Sequence, residues 1–174
     1  MILLPTCTLR KFRFGDEDSL QFHANNPAVW NNLRDSFPHP YLKSDAADWI
    51  SAHHQELKPL NLAITVNDQM IGGIGLIPQT DIYKLNAEIG YWLGETFLGR
   101  GIMTDAVKGM LGYAFDNFNF IRINAGVFET NLGYMKVLEK AGFQKEAIHR
   151  KAILKNGKIL DEHVYSILKD NQTS

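Results

Sequence analysis

Residues 88–107 read Glu88-Ile89-Gly90-Tyr91-Trp92-Leu93-Gly94-Glu95-Thr96-Phe97-Leu98-Gly99-Arg100-Gly101-Ile102-Met103-Thr104-Asp105-Ala106-Val107. Ile89 to Leu93 is an apolar, aromatic run of the kind a buried strand needs. From Ile102/Met103 onward, Ala106/Val107, Met110/Leu111 and Ala114/Phe115 recur every four residues, which predicts a helix running to about Phe118. Gly99-Arg100-Gly101 lies between the two. A strand, a glycine turn and a helix start aim bare backbone N–H groups, and the positive end of a helix dipole, at an anion.

Upstream, Thr8 to Phe14 alternates Leu9, Phe12 and Phe14 with basic residues and reads as an edge strand. The acidic run Asp16-Glu17-Asp18 opens a helix with Leu20, Phe22 and Ala24 on its apolar side, and Asn25-Asn26-Pro27 closes it. A short helix follows from Ala28 to Leu33. Pro38 and Pro40 keep residues 34–43 irregular. Ser44 is the expected cap of the next helix, whose inner side carries Ala47, Ile50 and Leu57.

Asn61 to Val66 and Met70 to Ile77 form a hairpin around Asn67-Asp68-Gln69. Gly72, Gly73 and Gly75 within its second strand point to a bulge or a close approach. Lys84 to Leu93 completes a meander. Phe120 to Phe128 is a further strand, Asn131 starts a helix that Gly142 stops, and Asn156-Gly157 turns a closing hairpin, Phe143 to Leu154 with Ile159 to Leu168. Hairpin-linked strands punctuated by helices predict an α+β, or mixed α/β, fold with a largely antiparallel sheet of about seven strands. Only the connection through the Gly101 helix need be a parallel crossover.

Composition narrows the function. The 174 residues are expected to form one domain, 1–174, with 45% hydrophobic and 21% charged residues. A net charge of −1 offers no basic field for nucleic acid or an anionic membrane. No run approaches the roughly 20 apolar residues of a membrane span. The lone Cys7 rules out an internal disulfide and suits a reducing cytoplasm. The histidines, His53-His54 included, show no metal spacing, so no metal is expected. A small-molecule or peptide partner fits best.

Three anions compete for the glycine turn. Gly94 and Gly99 have P-loop spacing, but Arg100-Gly101 stands where Lys-Ser/Thr is required. Gly99-Arg100-Gly101-Ile102-Met103-Thr104 lacks the last glycine of a dinucleotide fingerprint and the acidic residue about 20 positions on. The pyrophosphate of coenzyme A needs neither a metal nor a lysine.

Four segments carry a family resemblance: Ala87-Glu88-Ile89-Gly90-Tyr91-Trp92-Leu93; the loop Thr96-Phe97-Leu98-Gly99-Arg100-Gly101; Asn131-x-x-Tyr134-x-x-Val137-Leu138-Glu139-Lys140-Ala141-Gly142-Phe143; and Phe37-Pro38-His39-Pro40-Tyr41 with Trp49-Ile50. Together with Asp161 and Tyr165 they cover nearly the whole chain. In this order they resemble the GNAT superfamily of N-acetyltransferases, and within it the RimJ/RimL-type branch. Thr96 stands where the family's loop has Gln or Arg, and Tyr134 where the branch has Ser.

The resemblance implies transfer of acetyl from acetyl-CoA to an amine, in a GNAT-like sheet whose strand 88–93 splays from strand 120–128. The phosphates would lie on residues Leu98, Gly99, Arg100, Gly101, Ile102, Met103 and Thr104. Pantetheine would pair near Leu93, and Asn131 would touch the cofactor. Backbone N–H groups in the gap would stabilise the oxyanion, a contribution of about 3 kcal/mol. Glu88 is the candidate base, acting directly or through water, because a lysine-like amine with a pKa near 10.4 must lose a proton before it attacks. Tyr134 is the candidate acid for the departing thiolate, or else a ring packed against the cofactor. Phe37 and Tyr41, with Trp30 and Trp49, either line the acceptor pocket or form a small core. Protein N-termini, polyamines and antibiotics are the branch's acceptors, and the charge selects none of them. The alternatives are a non-catalytic acyl-CoA-binding or interaction module, and a nucleotide-binding protein. A homodimer is compatible with the sequence, although no residue argues for it.

Overall fold

A computed structural model of the chain describes residues 1–169. The expected unit 1–174 therefore ends five residues outside the described part. The strands are β1 (Ile2–Leu3), β2 (Thr8–Arg10), β3 (Asn61–Val66), β4 (Gln69–Pro78), β5 (Asn86–Leu93), β6 (Arg122–Phe128), β7 (Gln144–Lys155) and β8 (Lys158–Leu168). The helices are α1 (Glu17–Ala24), α2 (Pro27–Trp30), α3 (Lys43–His53), α4 (Ile102–Asn117) and α5 (Leu132–Lys140). The strands form one sheet in the order β1-β2-β3-β4-β5-β6-β8-β7. Every neighbouring pair is antiparallel except β5 and β6. The mixed α+β fold is as expected, with eight strands instead of about seven. The extra strand is Ile2–Leu3, which adds an edge by pairing with Leu9 and Thr8.

Both predicted hairpin turns are two residues long. Asn67 and Asp68 take φ of 49° and 65°, and Asn156 and Gly157 take 51° and 73°. Left-handed values at both central positions match the twist of the flanking strands, which is why Asn, Asp and Gly occupy them. The glycines of β4 answer to close approach. A Cβ on Gly72 would sit 2.5 Å from the Trp92 carbonyl oxygen, and one on Gly75 would strike the Asn61 side chain. The ladder also shifts register between Ile64 and Thr65, leaving Ile71 as an extra residue.

The core lies on both faces of the sheet. On one face Ile89, Tyr91, Leu93, Ile123, Ala125 and Val127 pack under α4 and α5, against Val107, Met110, Leu111 and Leu138. On the other face Leu20, Ala24, Ala46 and Ile50 of α1 and α3 pack with Phe12, Tyr41 and Met70. Four local expectations need correction, the first being Ala47, which is exposed while Ala46 takes the inner side of α3. Phe22 is 74% exposed, and the inner side of α1 is made by Leu20, His23 and Ala24. Ser44 lies inside α3. The N-cap is Leu42, whose N–H donates to Asp45 Oδ2 at 2.7 Å, so an acidic residue in the first turn does the capping. Leu57 falls beyond the end of α3 and is 95% exposed. No helix among the described residues is long and apolar enough to cross a membrane.

The decisive feature is the parallel pair. β5 and β6 are in register at Asn86↔Arg122, Ala87↔Ile123 and Glu88↔Asn124, and no further. β5 runs on to Leu93 along β4, and β6 to Phe128 along β8, without pairing with each other, so the sheet opens into a wedge. The expected splay is there, and Glu88 stands at its apex.

Candidate active site

Strand period fixes what each residue of β5 can do. Ala87, Ile89, Tyr91 and Leu93 are buried toward α4 and α5, whereas Glu88, Gly90 and Trp92 face the α1/α3 side. The Ile89 carbonyl opens toward the wedge, where it accepts from the Tyr134 hydroxyl at 3.4 Å. Backbone groups alternate with the same period, so the N–H groups of Tyr91 and Leu93 face the wedge as well. β6 offers them no partner there.

Two cavities meet at the wedge. The first, about 400 Å³, is lined by Leu93, Leu98, Gly99, Arg100, Gly101, Ile102, Met103, Thr104 and Asn131. These are all the residues expected to hold the cofactor. Gly99 and Gly101 have φ of +74° and +80°, a region open to glycine and costly for other residues. Gly101 is the N-cap of α4 and provides no side-chain acceptor, so the first-turn N–H groups point outward uncapped. A Cβ at either glycine would meet nothing within 4 Å, which leaves open space where an anion can approach the backbone. Arg100 lies over the Phe97 ring at 5.5 Å, and Lys136 and Lys140 line the far wall from α5. With Glu95 as its one carboxylate, the lining carries a net positive charge. Asn131 also caps α5, its Oδ1 accepting from Tyr134 N–H at 3.1 Å.

The second cavity, about 710 Å³, lies on the opposite face. Its walls include Phe37, Tyr41, Trp49 and Trp92, and its acidic and basic side chains are Arg34, Asp45, Asp48, His53, Glu88 and Glu162. Phe37 and Tyr41 thus line the expected pocket and also belong to the small core. Burial pushes the Tyr41 hydroxyl up to about 12, so it stays protonated. Trp30 is not part of this wall. Asn32, Leu33, Tyr91, Trp92 and Tyr134 border both cavities, which makes the wedge the passage between them.

Glu88 and Tyr134 are brought together at that passage. The Tyr134 ring stacks on Tyr91 with centroids 3.9 Å apart and planes 10° from parallel. Tyr91 in turn donates its hydroxyl to the Tyr134 carbonyl at 3.3 Å. Burial first, and the nearby Glu88 charge second, hold the Tyr134 hydroxyl well above the usual phenol range. The Glu88 carboxylate is paired with Arg34 Nη2 at 2.5 Å, at the end of a half-buried side chain. Sequence reasoning missed Arg34, which lies 54 positions away. It also missed Ala28, Val29, Asn32 and Leu33 over the first cavity, and Gly126, Phe128 and Glu162 in the second. Pro27 at the first turn of α2 was the available signal for the roof. Nothing local marks Glu162, whose carboxylate lies over Gly126, where any Cβ would strike it.

A wedge that joins a backbone-lined anion cradle to an aromatic, largely acidic pocket defines a two-substrate transferase. A model of the acetyltransferase (GNAT) domain matches residues 7–144, and the chain belongs to the GNAT acetyltransferase family. It is 45% identical over 102 residues to the probable N-acetyltransferase YjcK of Bacillus subtilis, covering 59% of this chain and 56% of that protein. It is 30% identical over 168 residues to the uncharacterized N-acetyltransferase p20 of Bacillus licheniformis, covering 93% and 92% of the two chains. Among solved structures, RimJ of Mycobacterium smegmatis, in complex with CoA-disulfide, superposes with a TM-score of 0.83 at 18% identity. That alignment covers 99% of this chain and 88% of the other, and it carries the fold. No cluster of three or more His, Cys, Asp or Glu poised for a metal occurs among the described residues.

Proposed function

We propose that residues 1–174 act as one acetyl-CoA-dependent N-acetyltransferase domain of the RimJ/RimL type, transferring acetyl to a primary amine by direct attack on the thioester. The observation that carries the reading is the meeting of the two cavities at Tyr91 and Tyr134, where β5 leaves β6. One substrate can enter from each face and react there with no covalent enzyme intermediate.

The first cavity fits coenzyme A. The uncapped α4 start and Gly99–Gly101 supply backbone donors for a pyrophosphate, with Arg100, Lys136 and Lys140 adding positive charge. The unpaired β5 edge would receive the amide-bearing arm as an added strand, and its N–H groups would meet the thioester oxygen. The second cavity suits a cationic amine. Its lining holds four carboxylates, Asp45, Asp48, Glu88 and Glu162, and one guanidinium, Arg34, which pairs with Glu88. Protein N-termini, polyamines and other small amines all meet that description.

In the reaction the amine lone pair forms a C–N bond to the thioester carbon as the C–S bond breaks. The proton lost by nitrogen goes to Glu88, directly or through water, and coenzyme A leaves as a thiolate that takes its proton from solvent. Tyr134 acts as a hydrogen-bond donor to the departing sulfur. Full proton transfer from a phenol held above its ordinary value to a thiolate near 8.5 would run uphill by at least about 2 kcal/mol, so donation without transfer is the favoured role. A panel of primary amines offered with acetyl-CoA tests the reading, with free thiol release as the signal. Turnover supports it. Tight coenzyme A binding with no turnover on any amine would favour a non-catalytic binding module instead.

A further inference from the structure

The β7–β8 hairpin reaches from the far edge of the sheet to the segment that roofs both cavities. At its tip the Lys155 ammonium lies 3.6 Å from the centroid of the Trp30 ring and 2.6 Å from Asp35 Oδ1. Next to it Asn156 Nδ2 donates to Asn31 Oδ1 at 2.8 Å. The Lys155 side chain is only 5% exposed, although it ends a hairpin turn. An ammonium drawn that far from water needs partners, and it finds them in the Trp30 ring and in Asp35, 120 positions away in sequence.

Grip and site occupy different residues of the same segment. Trp30, Asn31 and Asp35 face the hairpin tip. Asn32 and Leu33 border both cavities, and Arg34 lines the second, where it meets Glu88. The residues between α2 and α3 join no sheet ladder and make only local turn bonds, such as Phe37 N–H to the Arg34 carbonyl at 3.0 Å, so side-chain contacts must hold them to the rest of the fold. Trp30 passes the restraint on, donating Nε1–H to the Phe37 carbonyl at 3.1 Å and stacking on His39.

We propose that Lys155 is a positioning residue: the hairpin tip holds residues 27–37 down so that Leu33 stays over the passage and Arg34 stays on Glu88. The catalytic consequence rests on the acetyl-transfer reading, whereas the clasp itself does not. The test compares Lys155→Met, which keeps the stem, with Lys155→Arg, which keeps the charge and the stack, each in the full-length chain. Amide hydrogen exchange, coenzyme A affinity by calorimetry, steady-state kinetics and Tm are the readouts.

For Lys155→Met, exchange in residues 28–36 rises about tenfold while β3 and β4 stay as slow as in the wild type. Coenzyme A binding weakens, and KM rises for both substrates, by about fivefold, with a smaller fall in kcat. Lys155→Arg stays near the wild type in all of these. Unchanged exchange at 28–36 in Lys155→Met would overturn the proposal. So would a uniform rise over the whole sheet, or failure of Lys155→Arg to restore affinity. If the wild type acetylates no amine, the acetyl-transfer reading falls, while exchange and coenzyme A affinity still decide the clasp.

Discussion

The Tyr134 ring lies flat on Tyr91, 3.9 Å between centroids, and places its hydroxyl on the Ile89 carbonyl. One aromatic pair therefore ties α5 to the open edge of β5 at the point where the cavities join. The stack separates the two roles of Tyr134, because phenylalanine keeps the ring and loses the donor. Tyr134→Phe is expected to lower kcat about tenfold, the worth of one hydrogen bond, with KM for acetyl-CoA within about twofold of wild type. Tyr134→Ala removes the ring as well and raises KM. Equal kcat in Tyr134→Phe and wild type would assign Tyr134 to packing alone.

Glu88→Gln removes the proposed base and leaves a neutral partner for Arg34. The kcat/KM at pH 7 should fall about 100-fold and recover as pH approaches the acceptor amine's own pKa, where the neutral nucleophile needs no help. A pH–rate profile from 6 to 10 on both proteins checks this. A profile that merely scales down, with no recovery at high pH, would remove Glu88 from proton transfer.

Gly101 has φ of +80° at the mouth of the anion cradle. Gly101→Ala imposes left-handed strain of about 1 kcal/mol and puts a methyl where backbone must approach phosphate. KM for acetyl-CoA should rise about tenfold, while KM for the acceptor stays within about twofold. Initial rates with each substrate varied in turn separate the two.

Arg122 and Ser166 hold Glu146 well below the ordinary carboxylate range, at about 2. A folded-state pKa below the unfolded one adds stability above the unfolded value, near 4.3, and that stability is lost as pH falls from there toward 2. With the Glu146 side chain 42% exposed, solvent screening reduces the effect to about 1 kcal/mol. Glu146→Gln should lower Tm by a few degrees at pH 7, and the gap should close on acidification toward pH 2. Thermal melts across pH 2–7 provide the comparison.

What the sequence made legible was local. Gly99 and Gly101 announce a helix start open to an anion because positive φ without a side chain comes most easily to glycine, and both do take positive φ where the helix begins. Asn67-Asp68 and Asn156-Gly157 marked turns because Asn, Asp and Gly tolerate positive φ better than other residues do. The β1 edge was not legible, since two residues carry no periodicity and exist as a strand only by pairing with Thr8 and Leu9. Arg34 looked like a loop cation until the fold carried it to Glu88. Asp45 capped α3 in place of Ser44 by reaching back to Leu42, a choice that depends on where the chain enters the helix. Glu162 was beyond reach because its place depends on a missing side chain at Gly126, on another strand.

The central claim is direct transfer at the junction of two cavities, and initial rates measured with acetyl-CoA and the best amine acceptor varied together test it most directly. The account predicts intersecting double-reciprocal lines, since both substrates must be present at the wedge before acetyl moves. Parallel lines, the mark of an acetylated enzyme intermediate, would contradict it.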